Sequence, residues 1–251
     1  MNPLCLDLNA DLGEGAGHDE ELLDLVSSAN IATGFHAGDA ESMRAALEAA
    51  RSRGVAVGAH PSLFDRENFG RKEMNVGAGE VLEAVSYQLG VFQAVAEAAG
   101  VRPAHVKPHG ALYHRAARRR DLAEAVARAV KAADSGLFLF ALPGSELAAA
   151  GEAEGLRVVS EFFADRNYLR DGSLVPRTEP EALLHDPAAA AARVLRLLTE
   201  GRVRAIDHVD VEVRAGTICV HGDTPGAVEF ARALRVALEK EHVRIQSPGT
   251  I

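Results

Sequence analysis

The chain has 251 residues, 47% of them hydrophobic, 25% charged and 5% aromatic, which is apolar material for a full core and excludes a disordered or collagen-like polymer. Its 27 Lys and Arg against 36 Asp and Glu leave a formal net charge of -9, which disfavours nonspecific attraction to nucleic acid or an anionic membrane and points to a small-molecule partner. Two cysteines, Cys5 and Cys219, cannot build a disulfide scaffold, and each sits in an apolar run, so both are expected as buried core thiols. The stretch Met1-Asn2-Pro3-Leu4-Cys5 lacks a basic or long apolar signal region, and no window reaches the ~18 uninterrupted apolar residues of a membrane span. A cytoplasmic protein is the expectation.

Leu4 to Ala10 alternates apolar and polar residues and runs into Asn9-Ala10-Asp11 and the glycines 13, 15 and 17, which predicts a strand followed by a loop. Asp19 is placed to cap a helix carrying Leu22, Leu23 and Val26. Asn30 to Gly34 is a second strand, and Asp39 caps a helix through Ala50 in which Met43, Ala46, Leu47 and Ala50 recur at helical spacing. Val55 to Ala59 is a third strand, stopped at His60-Pro61. A long polar loop from Pro61 to Gly79 precedes a helix over Glu80 to Ala99. His105 to Lys107 is a fourth strand, cut by Pro108-His109-Gly110, with helix resuming through Ala132. Leu137 to Leu142, Arg157 to Glu161 and Ile218 to Val220 complete the strands, with an Ala-rich helix from Pro187 to Glu200 between the last two. Six or seven βα units without a Pro, Gly or Ser-rich linker predict one α/β domain over 1–251, a (β/α) barrel that is closed or slightly incomplete.

Strand after strand ends in acid-base or anion-binding residues: Asp11 and Glu14, His36 and Asp39, His60, Lys107 and His109, Glu161, His221 and Asp223. In a parallel barrel all these ends share one face, so residues spread over the chain can converge there. Taken singly, Asp11 fits a turn and Asp39 a helix cap. Asp11, His60 and His109 are donor types that suit a divalent metal, although no His-x-x-x-His spacing is present. The cluster Gly13-Glu14-Gly15-Ala16-Gly17 is no dinucleotide fingerprint, and no Gly-x-x-x-x-Gly-Lys-Ser/Thr occurs, so a P-loop does not hold any ATP in this chain. At His221-Gly222-Asp223-Thr224-Pro225 a strand meets a helix, with Thr224 as cap and Pro225 at the first helical position, a place where backbone N–H groups favour an anion. Arg71 and Arg166 lie in the two long loops and can each clamp a carboxylate. Arg118-Arg119-Arg120 reads as solvated surface.

The segments Asp7-Leu8-Asn9-Ala10-Asp11-Leu12-Gly13-Glu14-Gly15, Gly34-Phe35-His36-Ala37-Gly38-Asp39, Gly58-Ala59-His60-Pro61-Ser62 and Asn68-Phe69-Gly70-Arg71 resemble the LamB/YcsF family. His105-Val106-Lys107-Pro108-His109-Gly110, Glu161-Phe162-Phe163-Ala164-Asp165-Arg166, Asp171 to Arg177 and His221-Gly222-Asp223 continue the resemblance in order. Thr33 and His114 depart from residues frequent in relatives, Cys and Asn. The resemblance implies a deacetylase-like barrel and the A component of an ATP-dependent 5-oxoprolinase, which opens the lactam of 5-oxoproline to glutamate together with subunits B and C. It implies catalytic roles for Asp11, His60, Lys107 and His109, and substrate contacts from Glu14, His36, Asp39, Arg71, Glu161, Asp165, Arg166, His221 and Asp223. Two alternatives stand beside it: a metal-dependent deacetylase on the same barrel, and a noncatalytic subunit.

Overall fold

Every second side chain of β1 (Cys5–Leu12) is apolar, and Leu6, Leu8, Ala10 and Leu12 pack in the hydrophobic core while Asp7, Asn9 and Asp11 turn the other way. All of them except Cys5 are buried, because the sheet curls shut and its polar face becomes an interior. The structure, a computed structural model, describes residues 4–223 and 226–249. Its elements continue with α1 (Asp19–Leu23), β2 (Ser28–Ala32), α2 (Ala40–Arg53), β3 (Ala56–His60), α3 (Ala78–Ala98), β4 (His105–Val106), α4 (Gly110–Arg118) and α5 (Arg120–Ala133). There follow β5 (Phe138–Ala141), α6 (Glu146–Ala153), β6 (Arg157–Phe163), α7 (Pro187–Glu200), β7 (Arg202–Arg204), β8 (Asp210–Glu212), β9 (Thr217–Val220), α8 (Ala227–Lys240) and β10 (Arg244–Ile245).

Seven parallel strands close a barrel in the order β1-β2-β3-β4-β5-β6-β9, the ring being completed by β9 against β1 with Asp7 opposite Thr217 and Ala10 opposite Val220. β10 adds to the outer end of β1, and β7 and β8 form an antiparallel hairpin outside the ring. The expected (β/α) barrel is therefore present and closed. The helices bury their apolar stripes against the outside of the strands, as Met43, Ala46, Leu47 and Ala50 do on α2.

Gly58 on β3 sets the inside of the barrel. A Cβ there would lie 2.2 Å from the ring of His105, so only glycine lets that imidazole cross the interior and stack on Phe140 with ring centroids 4.2 Å apart.

Several local expectations are corrected. Asp19 is the first residue of α1, with His18 at the cap position, and its carboxylate instead accepts the Gly13 N–H at 2.8 Å. The helix after Gly110 is broken at Arg119, whose extended backbone separates α4 from α5. Cys5 is only half-buried, whereas Cys219 is buried. The cap at Thr224 and the helical start at Pro225 lie outside the described residues. Among the described residues no helix is long and apolar enough to cross a membrane.

Candidate functional site

The carboxyl ends of the barrel strands bring together Asp11 from β1, His60 from β3, Lys107 and His109 after β4, and His221 after β9. They line the floor of a cavity of about 580 Å³ whose walls carry Arg71, Arg118, Arg166, Arg177, Tyr113 and His114. The β3–α3 loop is folded over this floor by close packing: a Cβ on Gly70 would come within 2.8 Å of His36 Cβ and 2.9 Å of His109 Cδ2.

Lys107 is buried and its ammonium donates to Asp11 Oδ1 at 2.8 Å, pairs with Glu161 Oε1 at 3.0 Å and meets Cys219 Sγ at 2.9 Å. Burial alone would discharge it, but Asp11, Cys219 and Glu161 outweigh burial and hold its pKa well above the ordinary lysine value. It is a fixed cation. Burial likewise opposes the charge on Asp11, yet His60 and Lys107 keep this carboxyl ionised, well below its ordinary value. Glu14 behaves in the opposite way, since burial and the nearby Asp11 carboxylate push it well above the usual range.

The imidazoles are oriented by main-chain carbonyls. His60 Nδ1 lies 2.6 Å from the Lys107 carbonyl and His109 Nε2 2.8 Å from the Phe69 carbonyl. A carbonyl oxygen only accepts, so both of these nitrogens carry hydrogen. The other two nitrogens, His60 Nε2 and His109 Nδ1, then face each other at 2.9 Å, with Asp11 Oδ2 3.3 Å from the first and Glu14 Oε1 3.5 Å from the second. His36 stacks flat on His109 at 3.8 Å and reaches Glu14 Oε1 at 2.9 Å. Burial pushes its pKa down to about 2, and burial with His36 and His60 beside it holds His109 well below the usual histidine value. Both rings are neutral.

Among the described residues, two sets of donors are close enough to share an ion: Glu14, His36, His60 and His109, and Asp11, Cys219 and His221, each set within 4.8 Å. The second fits a cation poorly, because burial raises the Cys219 thiol well above its usual pKa.

The cavity wall is cationic. Arg71 pairs with Asp223 Oδ2 at 2.6 Å and lies over the Phe69 ring, while the buried Arg166 donates to the Val175 carbonyl at 2.6 Å and leaves its Nε without a partner among the described residues. Burial and the neighbouring Arg177 lower Arg166 to about 10, so it stays charged. Burial lowers Arg177 as well. Burial and the nearby Arg166 and Arg177 bring His114 down to about 3, so this ring is neutral.

Residues 6–251 match the LamB/YcsF family. The chain belongs to that family. Of the solved structures this LamB/YcsF chain is similar to, the lactam utilization protein from Thermus thermophilus is 49% identical, with 97% of this chain and 99% of that chain covered at a TM-score of 0.91. A family 4 carbohydrate esterase from Streptomyces lividans in complex with acetate is 12% identical over 99% of this chain and 95% of that chain, with a TM-score of 0.52. Peptidoglycan deacetylase PdaC from Bacillus subtilis is 11% identical over 98% of this chain and 89% of that chain, also at 0.52. These last two are likenesses of fold.

Of the thirteen residues singled out in the sequence, Asp11, His60, Arg71, Lys107, His109, Arg166 and His221 line the cavity of this LamB/YcsF protein. Glu14, His36, Glu161, Asp165 and Asp223 stand directly behind them as hydrogen-bonding or charged partners. Asp39 is the exception and a correction: it is exposed, accepts the Ser42 N–H at 2.9 Å in a capping box, and is spent on the start of α2. Arg118 is exposed as expected but stands on the cavity wall rather than on indifferent surface. Arg177, Tyr113 and His114 are site residues that sequence reasoning misses. Their only signal is membership of the motifs that carry Lys107 and the second long loop.

Proposed function

We propose that this chain is the ring-opening subunit of an ATP-dependent 5-oxoprolinase, which hydrolyses the lactam of 5-oxo-L-proline to L-glutamate together with partner subunits B and C. The observation that carries the reading is one cavity with a proton-accepting floor and an arginine wall: Asp11, His60, Lys107 and His109 below, Arg71, Arg166 and Arg177 above. Family membership and the 49% identical lactam utilization protein support it.

An unstrained lactam resists water because amide resonance keeps its carbonyl a poor electrophile. Transfer of the γ-phosphoryl group of ATP to the carbonyl oxygen converts it into an activated imidate, and ADP leaves. No P-loop exists in this chain, so the phosphoryl transfer is assigned to the partner subunits and the attack of water to this one. The arginine wall holds the substrate carboxylate and the phosphoryl oxygens. His60 Nε2 and His109 Nδ1, beside the ionised Asp11, mark where the attacking water sits and gives up its proton, an effect typically of ~10²–10⁴-fold. The Lys107 ammonium lies where negative charge gathers as the C–N bond breaks and phosphate departs. As the C–N bond breaks the ring nitrogen takes a proton, which leaves an acyl phosphate, and a second water releases phosphate from it and yields glutamate.

The test is reconstitution with and without subunits B and C, feeding 5-oxoproline and ATP and following glutamate and ADP together. Ring opening only in the full complex, lost in His60→Ala, is the expected result. Ring opening by this chain without ATP would favour an amidase of the deacetylase type, and full turnover with His60→Ala would reduce the chain to a noncatalytic subunit.

A further inference from the structure

We propose that His60, His109 and Glu14 hold one divalent transition-metal ion of the zinc class at the mouth of the barrel, with the Asp11 carboxylate flanking it. The proposal concerns binding and stands whether or not the chain opens lactams.

The two imidazoles present their second nitrogens to one another. The main-chain carbonyls of Lys107 and Phe69 take the N–H groups of His60 Nδ1 and His109 Nε2, so His60 Nε2 and His109 Nδ1 are turned toward each other across 2.9 Å. Metal-binding histidines are held in this manner, the far nitrogen donating to a carbonyl or carboxylate so that the near one is presented as a ligand.

The spacing also suits an ion. Four donors bound at 2.0–2.1 Å around a tetrahedral ion stand roughly 3.3 Å apart. Glu14 Oε1 lies 3.5 Å from His109 Nδ1 and 3.8 Å from His60 Nε2, and Asp11 Oδ2 lies 3.3 Å from His60 Nε2. His36, although near, is stacked parallel to His109 with planes 5° apart, so its lone pairs do not converge on the same point. It is a support for Glu14 rather than a ligand.

Positive charge is short as well. Asp11, Glu14 and Glu161 have buried carboxyls around the Lys107 ammonium, which touches two of the three. One ammonium shared by the Asp11 and Glu161 carboxyls leaves room for a divalent ion beside Asp11. Backbone strain marks the support: Phe69 has a φ of 56, left-handed for a residue with a side chain, and its carbonyl is the one that fixes His109. Imidazole with carboxylate suits zinc, cobalt and nickel, not calcium or magnesium.

The test uses the full chain, stripped with a chelator and then dialysed separately against Zn²⁺ and Co²⁺, with metal per chain determined by elemental analysis. One equivalent of Zn²⁺, and a Co²⁺ absorption spectrum of low-coordinate character, are expected. His109→Ala and Glu14→Gln should each lower Zn²⁺ affinity at least tenfold, with circular dichroism reporting that the barrel persists. Because a variant can fail to fold, the wild-type chain alone is decisive: no uptake means that a shared proton, not a metal, occupies the pair, and the proposal falls. It falls equally if Zn²⁺ binds but both variants, folded, bind it as tightly.

Discussion

The lower and upper layers of the barrel interior are both buried and both polar, yet they solve burial differently. Below, Asp7 accepts hydroxyl protons from Ser27 at 2.6 Å, Ser28 at 2.7 Å and Thr217 at 2.5 Å, and Asn9, Asn30 and His105 are chained to one another. Donors and acceptors there match almost one for one, with His105 Nδ1 left over among the described residues. Above, the inventory is unbalanced: an ammonium shared by two carboxyls, two imidazole nitrogens face to face, and an arginine Nε without an acceptor among the described residues. A closed network stiffens a fold, and an open one waits for a ligand.

Three experiments press on that contrast, the largest effect first. Lys107→Met removes the charge balancing Asp11 and Glu161, so turnover in the reconstitution proposed above should fall by at least ~10²-fold, and the chain should lose about 3–5 kcal/mol in urea unfolding. Unchanged stability would mean that the upper layer does not depend on its cation. Asp7 probes the lower layer, where burial pushes the carboxyl from 3.8 up to about 6, outweighing its three hydroxyl donors. The folded state then holds this proton more tightly than the unfolded chain, so the contribution is fully present below pH 3.8 and is lost as pH rises through about 6. Wild type relative to Asp7→Asn should therefore lose on the order of 3 kcal/mol between about pH 3.5 and 7.5, and a flat difference would show that the hydroxyl cage already solvates the ion as water does. Asp39→Ala should lower Tm slightly through the lost cap and leave turnover untouched; a fall in turnover would return Asp39 to the site.

The barrel was legible because its seven strands are marked by apolar runs with abrupt polar endings, and all seven runs became barrel strands. β10 and the β7–β8 hairpin were not, being two or three residues long and largely exposed, without a periodicity to read. Asp39 misled because a residue after a strand and before a helix satisfies two rules at once, and only coordinates tell a cap from a ligand. The lower layer escaped for a related reason: Asp7, Asn9 and Thr217 lie within strands, where alternation conveys that they share a face but not that the face closes on itself. Tyr113, His114 and Arg177 enter the cavity from α4 and the long loop after β6, where position along the chain carries no directional information.

Closure of β9 onto β1 joins stretches of chain more than two hundred residues apart. A ribosome that has delivered only the first six barrel strands has released a sheet with two raw edges and a pocket lacking His221. A complete cavity and protection of the hydrogen-bonding edges therefore arrive together, late in synthesis, and a truncated product would have an incomplete cavity and be prone to edge-to-edge association.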